Sequence, residues 1–220
     1  MKSEIETLGG LEAYQIASLK GGSLDKGFGA AGKWLVETLR NMVDENGSKM
    51  VFPLKMLDIG AITGEVYEKY KRYLLVESVD LNSQSPLVKQ QDFMERPLPK
   101  TDSERFQVIG LSLVLNFVTD PISRGNMLLQ TRSHLLPNGF LYIVLPKPCI
   151  ENSRYLTHSA FVDTLMKETL GFKLIKHHTS NKLASFVFQM TPSPSLEEFP
   201  KRELIPGSKR NNFCIVFNRD

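Results

Sequence analysis

The chain has 220 residues, a formal net charge of +3 and an apolar fraction of 41%. These values exclude a disordered or fibrous chain and suit a single large α/β domain with a full hydrophobic core. Its apolar runs are shorter than the roughly 18 residues that a membrane-spanning helix needs. The two cysteines, Cys149 and Cys214, are too few for a disulfide framework and lack the spacing of metal ligands, so we expect a reducing compartment.

Helical spacing of apolar residues predicts helices over 8–20 and 29–46, joined by a loop with five glycines from Gly21 to Gly32. Further helices are expected from Pro121 to the turn at 137–139, and over 154–170. Short apolar runs predict strands at 55–60, 73–81, 90–93, 106–118, 140–146, 172–180, 182–190 and 211–217. Residues 191–212, with four prolines, are expected to form a surface loop. Strands that alternate with helices predict a mostly parallel sheet, and the closely spaced late strands predict an antiparallel pair at its end.

Two stretches at predicted strand ends point to a ligand. LDIGAITG ends the first strand at Gly60, and VESVDLN ends the second at Asp80, 20 positions later. In an open α/β sheet, ligands bind beyond the carboxyl ends of the strands. A glycine there lets backbone N–H groups approach a ligand, and an acidic residue can accept hydrogen bonds from both ribose hydroxyls. The alternative is that Gly60 only makes a strand-to-helix turn and Asp80 only caps a helix.

The glycine pattern does not fit a dinucleotide or a P-loop nucleotide. The turn has the sequence GAITGE rather than GxGxxG, and the chain contains no GxxxxGK[ST] motif. An adenosyl ligand without a pyrophosphate, S-adenosylmethionine, fits better, held by the turn at Gly60 and Ala61. We expect Asp58 to face its amino-acid end, directly or through water. We expect Asp92 to bind the adenine amino group and Phe93 to stack on the ring.

Longer stretches of the chain resemble a known family. They are LGGLEAYQIASLKG (8–21), KWLVETL, LDIGAITG, VESVDLN, SLVLNFV with Pro121 and RGNML after it, and the closing RNNFCIVF. Together they resemble, over nearly the whole chain, the fungal large-subunit (25S) rRNA adenine-N1 methyltransferase family, whose metazoan relative is the S-adenosylmethionine sensor SAMTOR. LGGLxAYQxAS is specific, whereas LDIG is shared by many methyltransferases. Family members carry further residues before the first helix, so we expect a shortened form here.

The resemblance implies a single Rossmann-like class I methyltransferase domain with a seven-stranded, mostly parallel sheet, whose last strand, 211–217, inserts antiparallel near the edge. It implies S-adenosylmethionine held by Gly60 and Asp80. Residues 1–50, with Tyr14 and Gln15 in the first helix, are expected to cover the cofactor site of a core at 51–220. One departure is GAAGKW after the glycine-rich loop, where the family has a serine-rich stretch, so contacts by those serines are not expected.

The implied activity is methylation of N1 of an adenine in large-subunit rRNA during ribosome biogenesis, in the nucleus and nucleolus, by a monomer. We expect no DNA, membrane or metal partner. The alternative is a non-catalytic S-adenosylmethionine sensor that binds a protein partner. LDIG and VESVDLN do not separate the two functions, because both need the same cofactor pocket. An open, base-sized pocket beside Asn116 with a basic rim would favour the enzyme.

The end of the central strand indicates which nitrogen is methylated. Methyltransferases that act on amino nitrogens usually place an Asn/Asp-Pro-Pro-aromatic motif there, whereas this chain has SLVLNF at 112–117. Adenine N1 already carries an in-plane lone pair, so its methylation can work by alignment and desolvation without a general base. We expect Ser112 and Asn116 to hydrogen-bond the base and Phe117 to stack on it. The alternative is that 113–115 are core and Asn116 caps a turn.

Two groups of basic residues are candidates for contact with rRNA phosphates, with solvated surface as the alternative. They are Lys69, Lys71 and Arg72, and Lys201, Arg202, Lys209 and Arg210. A pI of 8.8 permits a nucleic-acid partner without indicating one. We expect the target adenine in a single-stranded or looped region, because base pairing would block N1.

Overall fold

The computed structural model describes residues 28–42, 47 and 49–219. Its strands are β1 (Leu54–Ile59), β2 (Leu74–Asp80), β3 (Lys89–Gln90), β4 (Phe106–Ser112), β5 (Leu135–Pro146), β6 (Phe172–Thr179) and β7 (Leu183–Met190). They form one seven-stranded sheet in the order β3-β2-β1-β4-β5-β7-β6. The first five strands pair in parallel, whereas β7 runs antiparallel to both β5 and β6.

The helices of the described residues are α1 (Phe28–Arg40), α2 (Pro121–His134), α3 (Lys147–Glu151) and α4 (Ala160–Thr169), the last with the wider hydrogen bonding of a π-helix. The start of α2 is fixed by its cap, since the Asp120 carboxylate accepts the Ser123 N–H at 2.7 Å and Pro121 occupies the first turn. Within this part of the chain, no helix is both long and apolar enough to cross a membrane.

The central strands are buried on both faces, which explains their nearly continuous apolar sequences. One face packs Leu57 and Ile109 against α2 and α4. The opposite face packs Met56 and Tyr142 against α1. Because side chains alternate along a strand, neighbouring residues of β1 enter different layers of the core.

The first three crossovers contain no α-helix. Between residues 60 and 105, all of which the structure describes, the only helical turns are 3₁₀ turns at Glu68–Tyr70 and Asp102–Glu104. An open cleft of about 630 Å³ lies along β2 and is lined by Leu75, Leu87 and Lys71, among others. The glycine turn after β1 contributes only Gly64 to it. This cleft is therefore separate from the carboxyl ends where the ligand was expected.

The expected fold class is confirmed, but the assignment of 211–217 as the inserted strand is wrong. That segment forms only isolated bridges, at Asn211 and Phe217, and the strand inserted between β5 and β6 is β7. The segment packs on α2 instead, where a Cβ atom on Gly125 would lie 2.0 Å from the carbonyl oxygen of Val216. Its apolar side chains are thus buried against a helix rather than in the sheet.

Other boundaries also differ from those expected. β4 ends at Ser112 because Leu113 has a positive φ of 60°, which a continuing strand does not permit. β3 is limited to Lys89–Gln90, and α1 and α4 are shorter than the expected helices at 29–46 and 154–170. The expected helix at 8–20, with Tyr14 and Gln15, lies outside the described residues, so the division into 1–50 and 51–220 stays a prediction.

Candidate active site at the carboxyl ends of the strands

The turn after β1 requires glycine at position 60. Gly60 has a φ of 75°, a conformation that other residues adopt at a cost, and a Cβ atom there would lie 2.5 Å from Cγ2 of Val114. The N–H groups of Gly60 and Ala61 both donate to the Val79 carbonyl, at 2.9 and 3.1 Å. These N–H groups are therefore already hydrogen-bonded to β2. At these two residues, the backbone groups that can contact a cationic ligand group are the carbonyl oxygens.

Asp80 is the last residue of β2 and is half-buried. Its Oδ1 atom accepts the N–H of Asn82 at 2.7 Å, which fixes the carboxylate at the end of the strand. A carboxylate has about four lone-pair sites, so this bond leaves acceptor capacity for two hydroxyl donors. Leu81 follows with 62% of its surface exposed, which places an apolar surface beside the acid. Leu81 was not among the ligand-binding residues expected from the sequence.

Asp58 lies beneath the glycine turn and is only 6% exposed. Burial raises the pKa of its carboxyl group from 3.8 to about 7. It faces Gly110 of β4, where a Cβ atom would come within 3.2 Å of its Oδ1 atom. Burial, and secondarily the charge of Asp58, raise the pKa values of the Tyr67 and Tyr142 hydroxyls, which places these three groups in one buried cluster.

Asp92 and Phe93 differ in their access to a ligand. Asp92 is half-buried, and its Oδ1 atom accepts the Met94 N–H at 2.8 Å. Phe93 is only 3% exposed and lies in the core, with its ring centroid 5.4 Å from that of His134. The structure therefore gives this ring no open face for the stacking that the sequence analysis expected.

The turn after β4, residues 113–118, carries the predicted target-binding residues. Ser112 ends the strand and is half-buried, while Phe117 presents 43% of its surface. The N–H of Phe117 donates to the Val114 carbonyl at 2.9 Å, which closes the turn. Asn116 is half-buried, and its Oδ1 atom is buried without a hydrogen-bond donor among the described residues. A buried amide oxygen without a donor is costly, which is typical of a residue retained for binding.

Arg124 of α2 holds this turn in place. Its guanidinium is buried and donates from Nε to the carbonyls of Leu115 and Val118, at 3.1 and 2.8 Å. From Nη1 it donates to the Cys214 carbonyl at 2.5 Å, and it stacks over the Phe213 ring at 4.4 Å. RGNML contains Arg124 and RNNFCIVF contains Cys214, and neither motif had a role predicted from the sequence. The structure shows that these motifs meet at the carbonyls on either side of Asn116 and Phe117.

Most of the predicted site residues thus converge at the carboxyl ends of the parallel strands. The turns after β1 and β4 are in contact through Gly60 and Val114, and Asp80 ends the strand next to β1. The described part of the chain contains no group of three or more His, Cys, Asp or Glu side chains that could hold a metal ion. The chemistry available here is therefore that of carboxylates, backbone carbonyls, an amide, a hydroxyl and an aromatic ring.

Comparison with known proteins gives the family. A family model described as "25S rRNA (adenine(2142)-N(1))-methyltransferase, Bmt2" matches residues 1–215. The chain belongs to this family. It is 35% identical over 219 residues to the 25S rRNA (adenine(2142)-N(1))-methyltransferase of Saccharomyces cerevisiae, with 97% of this chain and 62% of that protein covered. It is 33% identical over 222 residues to the 25S rRNA adenine-N(1) methyltransferase of Schizosaccharomyces pombe, covering 98% and 79%. The chain thus spans less than two thirds of the Saccharomyces cerevisiae relative.

Solved structures agree on the fold. A 1,6-didemethyltoxoflavin-N1-methyltransferase from Burkholderia thailandensis matches with a TM-score of 0.60 at 14% identity, covering 82% of this chain and 87% of that one. A TehB-like methyltransferase from Corynebacterium glutamicum matches with a TM-score of 0.56 at 14% identity, covering 82% and 97%. These likenesses show the class I methyltransferase fold.

Proposed function

We propose that this chain is an S-adenosylmethionine-dependent enzyme that methylates N1 of an adenine in large-subunit rRNA during ribosome biogenesis. One observation carries the proposal. The Gly60 turn, the Asp80 carboxylate and the Asn116 turn converge at the carboxyl ends of the strands in a methyltransferase fold. Family membership supports the same activity, because both curated relatives are named 25S rRNA adenine-N1 methyltransferases. We further propose that the protein acts in the nucleolus, as a monomer.

The residues at this edge fit S-adenosylmethionine. Asp80 is placed to accept hydrogen bonds from the ribose hydroxyls, and Asp92 to accept one from the adenine amino group. The exposed side chain of Leu81 offers the apolar contact for the adenine ring that buried Phe93 does not. At the amino-acid end, the ammonium group would lie at the Gly60 turn, above the Asp58 carboxyl group, whose raised pKa of about 7 leaves it partly ionised near neutral pH.

Methyl transfer to N1 requires little acid–base chemistry from the protein. When bound, S-adenosylmethionine would supply an electrophilic methyl group on a sulfonium, whose S–CH3 bond breaks to leave the neutral thioether S-adenosylhomocysteine. Adenine N1 offers a lone pair that needs no deprotonation to form the new N–CH3 bond. Ser112 and Asn116 orient the base by hydrogen bonds, and exposed Phe117 provides a stacking face. Alignment of the reacting atoms and exclusion of water then account for the rate.

A tritium-methyl transfer assay tests the proposal. Unmethylated large-subunit rRNA is incubated with the protein and labelled S-adenosylmethionine, and digested nucleosides are separated. We expect label in N1-methyladenosine alone. Cofactor binding by calorimetry without any label in rRNA would contradict the proposal and would favour the non-catalytic sensor.

Asn116→Ala locates the target site in the same assay. We expect methyl transfer to fall far more than S-adenosylmethionine affinity, because Asn116 contacts the base. Equal losses in both would make Asn116 a cofactor-binding or folding residue. No loss in either would place the target site elsewhere, at the glycine-rich loop 21–32.

A further inference from the structure

Two groups of basic residues lie at opposite ends of the strands of the sheet. The first basic cluster is Lys69, Lys71 and Arg72, and the second is Lys201, Arg202 and Lys209, all six with exposed side chains. Arg210, predicted with the second group, is half-buried and is not counted in the cluster. The first cluster immediately precedes β2. The next residue, Tyr73, accepts a hydrogen bond on its carbonyl from the N–H of Leu54, the first residue of β1, at 2.8 Å. The first cluster therefore lies at the amino ends of the strands, away from the candidate active site.

The second basic cluster lies on a segment, residues 199–212, that is held at the carboxyl end of β5. Residues 148–154 follow that strand directly, and Arg154 exchanges backbone hydrogen bonds with this segment: its N–H donates to Asn211 at 3.0 Å, and its carbonyl accepts from Leu204 at 2.8 Å. Its Nε atom donates to the Gly207 carbonyl at 2.9 Å. The cluster thus lies at the carboxyl ends of the strands, as do the turns that carry Gly60 and Asn116.

The chain continues from the second cluster to the target-binding turn. After Asn211, residues 213–217 run along the start of α2, where the Val216 N–H donates to the Pro121 carbonyl at 2.9 Å. Arg124 joins this segment, through the Cys214 carbonyl, to the turn that holds Asn116. The segment that carries the second cluster is therefore connected, through residues 213–217 and Arg124, to the turn that holds Asn116.

Each cluster has a lysine over a tyrosine ring, Lys69 lying 5.3 Å from the Tyr70 ring in the first, and the two clusters differ in their ion pairs. Lys71 of the first cluster pairs with Glu68 at 2.7 Å. In the second cluster, Lys201 lies 4.5 Å above the Tyr155 ring, and none of its three members is within ion-pair distance of a carboxylate among the described residues. Acidic Glu197, Glu198 and Glu203 occupy the same or adjoining sequence. The site thus offers local cationic groups for a phosphate backbone rather than a large positive field.

We propose that Lys201, Arg202 and Lys209 bind phosphates of the RNA strand that flanks the target adenine, and that the first basic cluster takes no part. The inference rests on the proposed function and assigns the surface that recognises its substrate. Phosphate contacts of this kind give affinity and register but no sequence discrimination.

Two matched triple variants test the proposal. Lys201→Gln/Arg202→Gln/Lys209→Gln and Lys69→Gln/Lys71→Gln/Arg72→Gln each remove two lysines and one arginine from exposed positions, so the change in net charge is the same. The assays are methyl transfer to unmethylated large-subunit rRNA, RNA affinity as a function of salt, and S-adenosylmethionine affinity by calorimetry. The last confirms that each variant is folded.

We expect the second-cluster variant to raise KM for rRNA about tenfold or more, with kcat and cofactor affinity within about twofold of the parent. Three lost contacts should reduce the slope of log affinity against log salt by about 2, at roughly 0.7 per phosphate of a single strand. The first-cluster variant should change neither KM for rRNA nor the salt slope.

Equal effects of both variants, or none from the second-cluster variant, would overturn the proposal. Parent protein that methylates no adenine would instead contradict the proposed function, while the salt slopes would still compare the two surfaces.

Discussion

A Cβ atom on Gly60 would lie 2.5 Å from Cγ2 of Val114, so the turn after β1 and the turn after β4 are in direct contact. The first turn is the proposed cofactor site and the second carries the proposed target residues. Because the turns touch, a change of shape in one is transmitted to the other. Under the proposed function, this contact would hold the methyl donor and the target base at a fixed separation, which alignment of the methyl group with N1 requires.

Gly60→Ala is expected to lower both stability and S-adenosylmethionine affinity. The positive φ of 75° costs an alanine about 1–2 kcal/mol, and the clash with Val114 adds to it. Denaturant unfolding and calorimetry measure the two losses. Gly47→Ala is the matched control, because Gly47 has a φ of 77° and a Cβ atom there would meet nothing within 4 Å in the part of the chain that the structure describes. We expect Gly60→Ala to cost more than Gly47→Ala, and Val114→Ala to recover the difference. Equal costs would mean that the two turns are not coupled.

How far the sequence predicted this structure depends on the range of the interactions involved. Gly60 and Asp80 were predicted because a glycine turn and an acid at a strand end are local features. The apolar run at 211–217 correctly indicated burial, but it did not reveal its partner. That partner is α2, whose Gly125 lets the backbone of Val216 approach, a contact between residues far apart in the sequence.

The same reason explains the residues that were missed or misjudged in the site. Arg124 joins the target turn to residues 213–217 through the Cys214 carbonyl, 90 positions away along the chain. Phe93 directly follows an acid at the end of a predicted strand, yet its contact with His134 of α2 places it in the core. Neither contact leaves a local pattern in the sequence, because both depend on how α2 packs against the sheet.

Asp80→Ala is expected to weaken S-adenosylmethionine binding at least tenfold. Loss of a carboxylate hydrogen-bonded to both ribose hydroxyls should cost on the order of 2–3 kcal/mol. Asp80 also accepts the Asn82 N–H, so a purely structural role must be separated from binding. Asp80→Asn provides that separation, because its amide oxygen can still accept the Asn82 N–H. We expect both variants to lose affinity in calorimetry, and only Asp80→Ala to lower the melting temperature. Unchanged affinity in both would place the ribose elsewhere.

Asp58→Asn is expected to change the pH dependence of stability. Burial raises the pKa of Asp58 to about 7 in the folded state, from the 3.8 of an exposed side chain. Between about pH 4 and 7 the folded protein therefore keeps a proton that the unfolded chain has released. This group makes the free energy of unfolding fall as the pH rises, by up to about 1.4 kcal/mol per pH unit.

The amide variant cannot ionise, so its free energy of unfolding relative to that of the parent should increase from pH 4 to pH 7. Urea unfolding of both proteins at several pH values measures this difference, in which the other titrating groups cancel. A difference that stays constant or decreases as the pH rises would show that the pKa of Asp58 is not raised in the folded protein.

Arg124→Met is expected to lower kcat for methyl transfer beyond its effect on stability. The guanidinium bonds the carbonyls of Leu115 and Val118, and through them it positions Asn116 and Phe117. Its removal leaves buried carbonyls without donors, each worth about 1–3 kcal/mol, and frees the turn to shift. A positioning role predicts a lower kcat with nearly unchanged S-adenosylmethionine affinity. Arg124→Lys should rescue little, because one ammonium group does not reproduce the planar fork.

Arg132 provides the control for this experiment, since it occupies the same helix and makes the same kind of contacts elsewhere. It donates to the carbonyls of Leu170, Gly171 and Thr191, and it lies 5.7 Å from the Phe172 ring. Burial lowers the pKa of both arginines. Arg132→Met should therefore destabilise the protein to a similar extent without moving the target turn. With both variants assayed well below their melting temperatures, we expect kcat to fall only for Arg124→Met. Equal losses of kcat would mean that Arg124 supports the fold and has no particular role in placing the target base.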